Sequence, residues 1–322
     1  MRERGVLMAR HESSRVVVAA LVGNVLVATT KLAAALVTGS SAMMSEAVHT
    51  TADTGNELLL LYGLRRAARP ADADHPFGHG RELYFWSFVV ALLVFALGAG
   101  VSIYEGVSHV LHPAAITNPG VNYAVLGLAL LFESGSWWVA FGEFRSLKGD
   151  LGYLEAVRRS KDPATFIVLA EDTGAIVGIV IAFAGNVAAQ RLDRPVFDGA
   201  ASIAIGVLLG LTALVLARET KGLLIGEPAR SELVSSICSM AREHAGVESS
   251  NGLFTVHLGP RQVLAVLSVE FKDTLTAPEV ESIVADLEDR VRRVHPEVVS
   301  VLVKPQKSER ADFRLPPGPG EG

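Results

Sequence analysis

Residues 41–64 read SAMMSEAVHTTADTGNELLLLYGL, and this stretch determines how the rest of the chain is interpreted. Its length suits a membrane-spanning helix, which needs about 20 residues. Ionisable residues interrupt it at spacings of three and four, so a helix would carry them all on one stripe: Glu46, His49, Asp53 and Glu57. Charged groups are costly at bilayer depth and usually face the protein interior, where they act. The stretch therefore predicts a membrane-spanning helix with a functional polar face.

Other apolar blocks of similar length fill the first two thirds of the chain. Half of the 322 residues are hydrophobic although only 7% are aromatic, a pattern typical of membrane proteins. The first block is too long for the hydrophobic region of a signal peptide, so we interpret it as a span. The fold class predicted is membrane all-α, a six-helix transmembrane bundle. Its spans are Val16–Thr38, Ser41–Leu64, Leu83–Leu111, Val121–Phe144, Thr165–Ala189 and Phe197–Ala217.

Positive charge in the connections predicts the orientation of this bundle. Arginine and lysine concentrate before span one and after spans two, four and six, whereas the alternate connections carry few of them. We therefore expect a multi-pass protein of the plasma (inner) membrane with both termini in the cytoplasm. The predicted domains are a cytoplasmic N-terminal tail (1–15), the six-span domain (16–222), a cytosolic domain (223–306) and a disordered tail (307–322).

The cytosolic domain has the pattern of a small α+β fold. Ser231–His244 is amphipathic and predicts a helix. Leu253–Leu258 and Val263–Phe271 alternate like strands around a turn at Gly259 and Pro260. Pro278 lies in the first turn of a second helix that runs to about Val294, and Val298–Val303 predicts a last strand. The order αββαβ suits a ferredoxin-like domain with helices on one face of a small sheet.

A metal site is predicted where span two meets span five. His49 and Asp53 stand one helical turn apart, and span five carries the adjacent acids Glu171 and Asp172. One imidazole nitrogen and carboxylate oxygens form a set that Zn²⁺ binds as a tetrahedron. Adjacent residues point about 100° apart on a helix, so Glu171 either completes the set or only packs beside it. For Glu46 and Glu57, structural hydrogen bonding is an equal alternative.

Two further groups of ionisable residues need an interpretation. Lys31 in span one and Glu133 in span four lie at membrane depth, where they predict a buried structural ion pair or, alternatively, a proton relay. The connection after span two contains Asp72, His75 and His79 at spacings suited to a second metal site or an ion-capture site. The alternative is an ordinary polar loop.

Together these features resemble the cation diffusion facilitator family of metal/proton antiporters. The resemblance rests on the six spans, the SEAVHTTAD segment of span two, the HPFGHG segment that begins at His75, and the αββαβ domain. The segments SKDP from Ser160 and LAED from Leu169 are most similar to the zinc transporter nine branch. The family pattern implies a transport site with two ligands on each of spans two and five. Its fourth ligand would fall at Val168, which cannot bind metal, so Glu171, a water or a backbone carbonyl would take that place.

The resemblance implies a secondary active transporter, not an enzyme, that exports Zn²⁺ from the cytosol in exchange for protons. It also implies a homodimer formed through the C-terminal domains, and a metal site in the cytosolic domain that we expect to be reduced or absent. Mn²⁺, Fe²⁺ and Co²⁺ remain alternative substrates, and a membrane metal sensor or an intramembrane metalloenzyme remains an alternative class. A net charge of -5 without a basic tract predicts no nucleic-acid partner.

Overall fold

The structure is a computed structural model that describes residues 2–113, 119–148, 152, 153, 156 and 160–308. The described chain divides into two compact units. One contains Glu3–Arg69 and Glu82–Lys221, and the other contains Pro70–Arg81 together with the chain from Gly222 onward. Most of the predicted tail 307–322 lies outside the described residues. The two units are called the membrane unit and the C-terminal unit below.

Long helices build the membrane unit. The first helix begins at Arg2, so it includes residues that the sequence predicts as an N-terminal tail. A π-helical segment at Val94–Ala99 joins the two halves of the third predicted span. The helices are α1 (Arg2–Thr38), α2 (Ser41–Ala67), α3 (Arg81–Leu93), α4 (Gly100–Leu111), α5 (Pro119–Lys148), α6 (Pro163–Arg191) and α7 (Val196–Ile225).

Five stretches in the described residues are long and apolar enough to cross a membrane: Ala20–Thr38, Arg81–Leu111, Gly120–Ser146, Pro163–Arg191 and Val196–Ile225. Helix α2 has 27 residues, which is also sufficient length. Its ionisable side chains lower its hydropathy, which is why composition alone does not place it with the other five. The second predicted span is thus present as a helix, and its passage through the bilayer stays a prediction.

The membrane unit has apolar side chains outside and polar side chains inside. Leu36, Leu131 and Trp138 are 71–72% exposed, whereas Lys31 and Glu46 are fully buried. Lipid tails solvate apolar groups as well as a protein core does, while buried charge needs protein partners. The distribution of side chains therefore agrees with a membrane environment.

Local signals position the two helices that carry the predicted metal ligands. Ser40 precedes α2, and its Oγ accepts a hydrogen bond from the backbone N–H of Met43. Asp162 precedes α6, and its Oδ1 accepts from the backbone N–H of Ala164. Both are favourable N-caps, and Pro163 in the first turn of α6 fits a position where no N–H partner is needed. Both helices thus have start points that are encoded in the sequence.

The C-terminal unit has the predicted αββαβ order. It consists of α8 (Ser231–Arg242), β1 (Val247–Gly259), β2 (Gln262–Phe271), α9 (Ala277–Val294) and β3 (Val298–Pro305). Strands β1 and β2 are antiparallel, and β3 lies parallel to β2 in the order β1-β2-β3. The core includes Ile237, Leu267 and Leu287. The first strand begins at Val247, six positions before the predicted Leu253. The prediction missed these residues because they lack the alternation that marks a strand in sequence.

Candidate metal sites

The polar stripe predicted on α2 is buried in the membrane unit. Glu46, His49, Asp53 and Glu57 are each at most 2% exposed. The Nδ1 atom of His49 lies 3.3 Å from Oδ1 of Asp53, as expected for residues four apart on one helix face. Neither ring nitrogen of His49 has a hydrogen-bond partner among the described residues, and neither has that Asp53 oxygen. Buried polar atoms are normally paired, so these unpartnered atoms mark a place for a ligand.

The acids of α6 are buried as well. Oε2 of Glu171 and Oδ2 of Asp172 have no hydrogen-bond partner among the described residues. Val168, one turn before Asp172, is 1% exposed and offers no ligand atom. An acid at this helix position is therefore absent, and Glu171 is the neighbouring carboxylate that could replace it.

Two asparagines contact the acids, and the sequence analysis missed both. Nδ2 of Asn56 donates to Oε1 of Glu171 at 2.7 Å, which joins α2 to α6. Nδ2 of Asn24 donates to Oε1 of Glu57 at 2.8 Å, which joins α1 to α2. Each amide orients one carboxylate oxygen. A polar amide within an apolar helix is a signal that could have identified them.

The predicted intramembrane ligands are only partly brought together. His49 and Asp53 form a close pair, but no three acid or histidine ligand atoms of this region lie within 4.8 Å of one another in the described residues. Ligands about 2.0–2.2 Å from one Zn²⁺ would have to be closer than that to each other. A shared ion would therefore require α2 and α6 to move their side chains together.

The connection between α2 and α3 holds the group of three ligands that does meet this spacing: Asp72, His75 and His79. Nε2 of His79 lies 2.9 Å from Oδ2 of Asp72, and Nδ1 of His75 lies 3.4 Å from its Oδ1. The hydrogen bond with His79 is the main reason why the pKa of Asp72 is lowered from 3.8 to about 2, and the backbone N–H of His75 adds to it. Two imidazoles and one ionised carboxylate suit Zn²⁺ and leave a fourth position open.

This loop belongs to the C-terminal unit. Gly80, next to His79, lies against the backbone carbonyl of Leu258 and the side chain of Gln262, so closely that a Cβ at position 80 would clash. These two residues flank the turn between β1 and β2. The absence of a side chain at position 80 allows the His-bearing loop to sit on this turn.

Lys31 lies at the meeting point of three helices. Its Nζ is 3.0 Å from Oε2 of Glu46, 2.9 Å from Oγ1 of Thr50 and 3.7 Å from Oε1 of Glu133. The predicted partner Glu133 is present, but Glu46 makes the shorter contact. Sequence spacing could not rank the two acids, because both lie on other helices than Lys31 and their distances depend on how those helices pack.

Comparison with known proteins identifies the family. Residues 17–225 match the cation efflux transmembrane domain. The chain belongs to the cation efflux family. This result confirms the resemblance to the cation diffusion facilitators that the sequence motifs indicated.

Three relatives show how far the similarity extends. Metal tolerance protein C4 of Arabidopsis thaliana is 31% identical over 80% of this chain and 57% of its own length. The human protein named proton-coupled zinc antiporter SLC30A9, mitochondrial, is 31% identical over 80% of this chain and 46% of its own. The cation-efflux pump FieF of Escherichia coli is 24% identical over 88% of this chain and 89% of its own. The chain thus spans about half the length of the first two relatives.

Proposed function

We propose that this cation efflux protein is a secondary active transporter that exports a divalent cation, Zn²⁺, from the cytosol in exchange for protons. The observation that carries the proposal is the buried pair of His49 and Asp53, in which both ring nitrogens and Asp53 Oδ1 have no hydrogen-bond partner among the described residues. Intramembrane ionisable groups without partners are costly unless a ligand uses them. The names of two relatives, a zinc antiporter and an efflux pump, support the same function and not an enzyme.

The proposed transport site consists of His49 and Asp53 from α2 with Asp172 and Glu171 from α6. Glu171 replaces the ligand that the family pattern would place at Val168. Asn56 supports this role, because its amide orients the Glu171 carboxylate and leaves Oε2 free to bind. Metal ligands are commonly oriented by such outer hydrogen bonds.

Proton coupling follows from the ligand chemistry. Imidazole and carboxylate groups must be deprotonated to bind Zn²⁺, so metal and protons compete for the same atoms. The metal would enter from the cytosol, displace protons and leave on the other side, where arriving protons take its place. The separation of the α2 and α6 ligands is consistent with an arrangement that tightens only when the ion is held.

Asp72, His75 and His79 are proposed as a second site that captures the ion before it enters the membrane. The carboxylate of Asp72 is 53% exposed, whereas the ring of His79 is 5% exposed. The group thus combines an accessible anion with a preoriented imidazole. A bound ion would replace the hydrogen bond between Asp72 and His79.

The wider architecture is proposed from the loop charges and the family. It comprises six spans, both termini in the cytoplasm, insertion in the plasma membrane and a homodimer formed through the C-terminal unit. Mn²⁺, Fe²⁺ and Co²⁺ are the competing substrates, and a nitrogen ligand favours Zn²⁺, Fe²⁺ or Co²⁺ over Mn²⁺.

The test is zinc-driven proton movement in liposomes that contain the purified protein. We expect His49→Ala and Asp53→Ala to abolish it, because each removes a proposed ligand. Thr51→Ala is the matched control, since Thr51 is exposed on the same helix and its hydroxyl donates to the backbone carbonyl of Ala47 one turn earlier. Undiminished transport in either ligand variant would exclude this site. Zinc binding without flux in the wild-type protein would instead favour a metal sensor.

A further inference from the structure

The membrane unit contains a charge network that the proposed transport site does not use. It consists of Lys31 on α1, Glu46 and Thr50 on α2, and Glu133 on α5. The three charged side chains are 0–2% exposed. The ammonium group contacts Glu46 and Thr50 at 3.0 and 2.9 Å, and Glu133 at 3.7 Å. One buried cation thus connects two carboxylates from different helices.

The charges in this network do not cancel. Two ionised carboxylates and one ammonium leave a net charge of about minus one, and an uncompensated buried charge is costly. Oε1 of Glu46 and Oε1 of Glu133 have no hydrogen-bond partner among the described residues. Glu46 Oε1 faces α6 at Gly178, which has no side chain to donate a hydrogen bond. One added proton would neutralise the group.

In the part of the chain that the structure describes, most charged neighbours of this network are acids. Besides Lys31 and Glu46, Glu133 interacts electrostatically with Asp53, Glu57 and Asp172, while the neutral imidazole of His49 lies near Lys31. None of these acids compensates the excess negative charge of the network, so a proton compensates it whenever no metal ion is nearby. A dication held by His49, one helical turn from Glu46, would reverse this preference, since positive charge at short range repels the proton.

We propose that Glu46 and Glu133, held together by Lys31, form a proton-carrying site separate from the metal ligands. This inference rests on the proposed antiport function and names a carrier for one of its protons. When Zn²⁺ binds from the cytosol, the proton leaves the shared carboxyl group for cytosolic water. When Zn²⁺ is released on the opposite side, a proton from the water on that side binds to the same carboxylate.

A structural ion pair alone would need only one of the two acids. Replacing either acid with glutamine leaves Lys31 with one carboxylate and makes the network neutral without a proton. The two single variants Glu46→Gln and Glu133→Gln should therefore fold and should lose the same single proton from the transport cycle. Equal loss in both variants would indicate a proton site that the two acids share. Loss in only one variant would indicate that the other acid takes no part in carrying the proton.

The experiment measures the number of protons exchanged per Zn²⁺ by purified full-length protein in liposomes. With the membrane potential held at zero by K⁺ and valinomycin, a pH gradient of one unit is imposed. The zinc concentration ratio at which net flux stops then changes by about tenfold for each coupled proton. We expect each single variant to lower this ratio about tenfold, while Glu133→Asp, which keeps a carboxylate, retains the wild-type ratio. Each variant should still bind zinc in detergent, because the metal ligands are intact.

The possible results are separable. A wild-type protein that builds no zinc gradient from a pH gradient contradicts the proposed function itself. A wild-type ratio in either folded glutamine variant overturns only the proton site, as does a variant that binds zinc but transports none. Failure of both variants to fold would assign the network a purely structural role.

Discussion

Removal of the buried ammonium group in Lys31→Met tests how the membrane unit is held together. The substitution keeps a chain of similar length but leaves Glu46 and Glu133 without their cation. Breaking a buried ion pair by removing one partner typically costs about 3–5 kcal/mol of unfolding free energy. The alternative for the protein is to bind an extra proton. Keeping a proton on a carboxylate with the ordinary glutamate pKa of about 4.3 costs about 3.7 kcal/mol of free energy at pH 7 and about 1 kcal/mol at pH 5.

We therefore expect Lys31→Met to lower the free energy of unfolding by about 3–4 kcal/mol at pH 7 and by much less at pH 5. The assay is reversible denaturant unfolding in mixed micelles at both pH values. The double variant Lys31→Met/Glu46→Gln is the control, since it removes the pair as a unit and should recover most of the loss. A cost below about 1 kcal/mol at pH 7, or a cost that is the same at pH 5, would refute the reasoning.

Three other predictions concern separate parts of the molecule. Asn56→Leu removes the amide that orients Glu171, so zinc affinity in detergent should fall about 10–100-fold; an unchanged affinity would remove Glu171 from the ligand set. Gly178→Ala places a methyl group against the buried Glu46 carboxylate of α2 and should cost about 1–3 kcal/mol in unfolding free energy. Gly127→Ala, whose methyl group would have nothing within 4 Å, is the control and should cost nothing. The pKa of Asp72 is about 2, so its hydrogen bonds stabilise the loop above the ordinary value of 3.8 and are lost as pH falls through about 2. Its carboxylate is therefore ionised throughout pH 5–8. Asp72→Asn should weaken zinc binding by the loop about tenfold or more across that range. The measurement is a zinc titration of a variant that lacks the intramembrane histidine.

Much of the fold could be predicted because its signals are local. Hydrophobic length identified the long helices, alternation identified β2, and a run of β-branched residues identified β3. The bounds of α9 were predicted almost to the residue because Pro278 lies in its first turn, and the structure adds a capping box formed by Thr276 and Glu279. The start of β1 was missed since Val247 and the residues after it do not alternate.

The candidate site was predictable in its residue types but not in its contacts. His49 and Asp53 share one helix face, so a spacing of four was enough to pair them. The roles of Asn24 and Asn56 depend on which helix packs beside them, and a single sequence contains no measure of helix rotation. For the same reason, Glu46 was not recognised as the shorter contact of Lys31.

The amino-acid sequence by itself determined where the helices run, which face of α2 is polar, and which side chains could bind a metal ion. Periodicity and composition encode these features within single elements. Only the tertiary structure decided that Lys31 lies between two acids, that amides orient Glu57 and Glu171, and that the His-bearing loop packs on the turn between β1 and β2. These contacts join residues far apart in the chain, and they follow from the packing and rotation of whole helices, which no local pattern specifies.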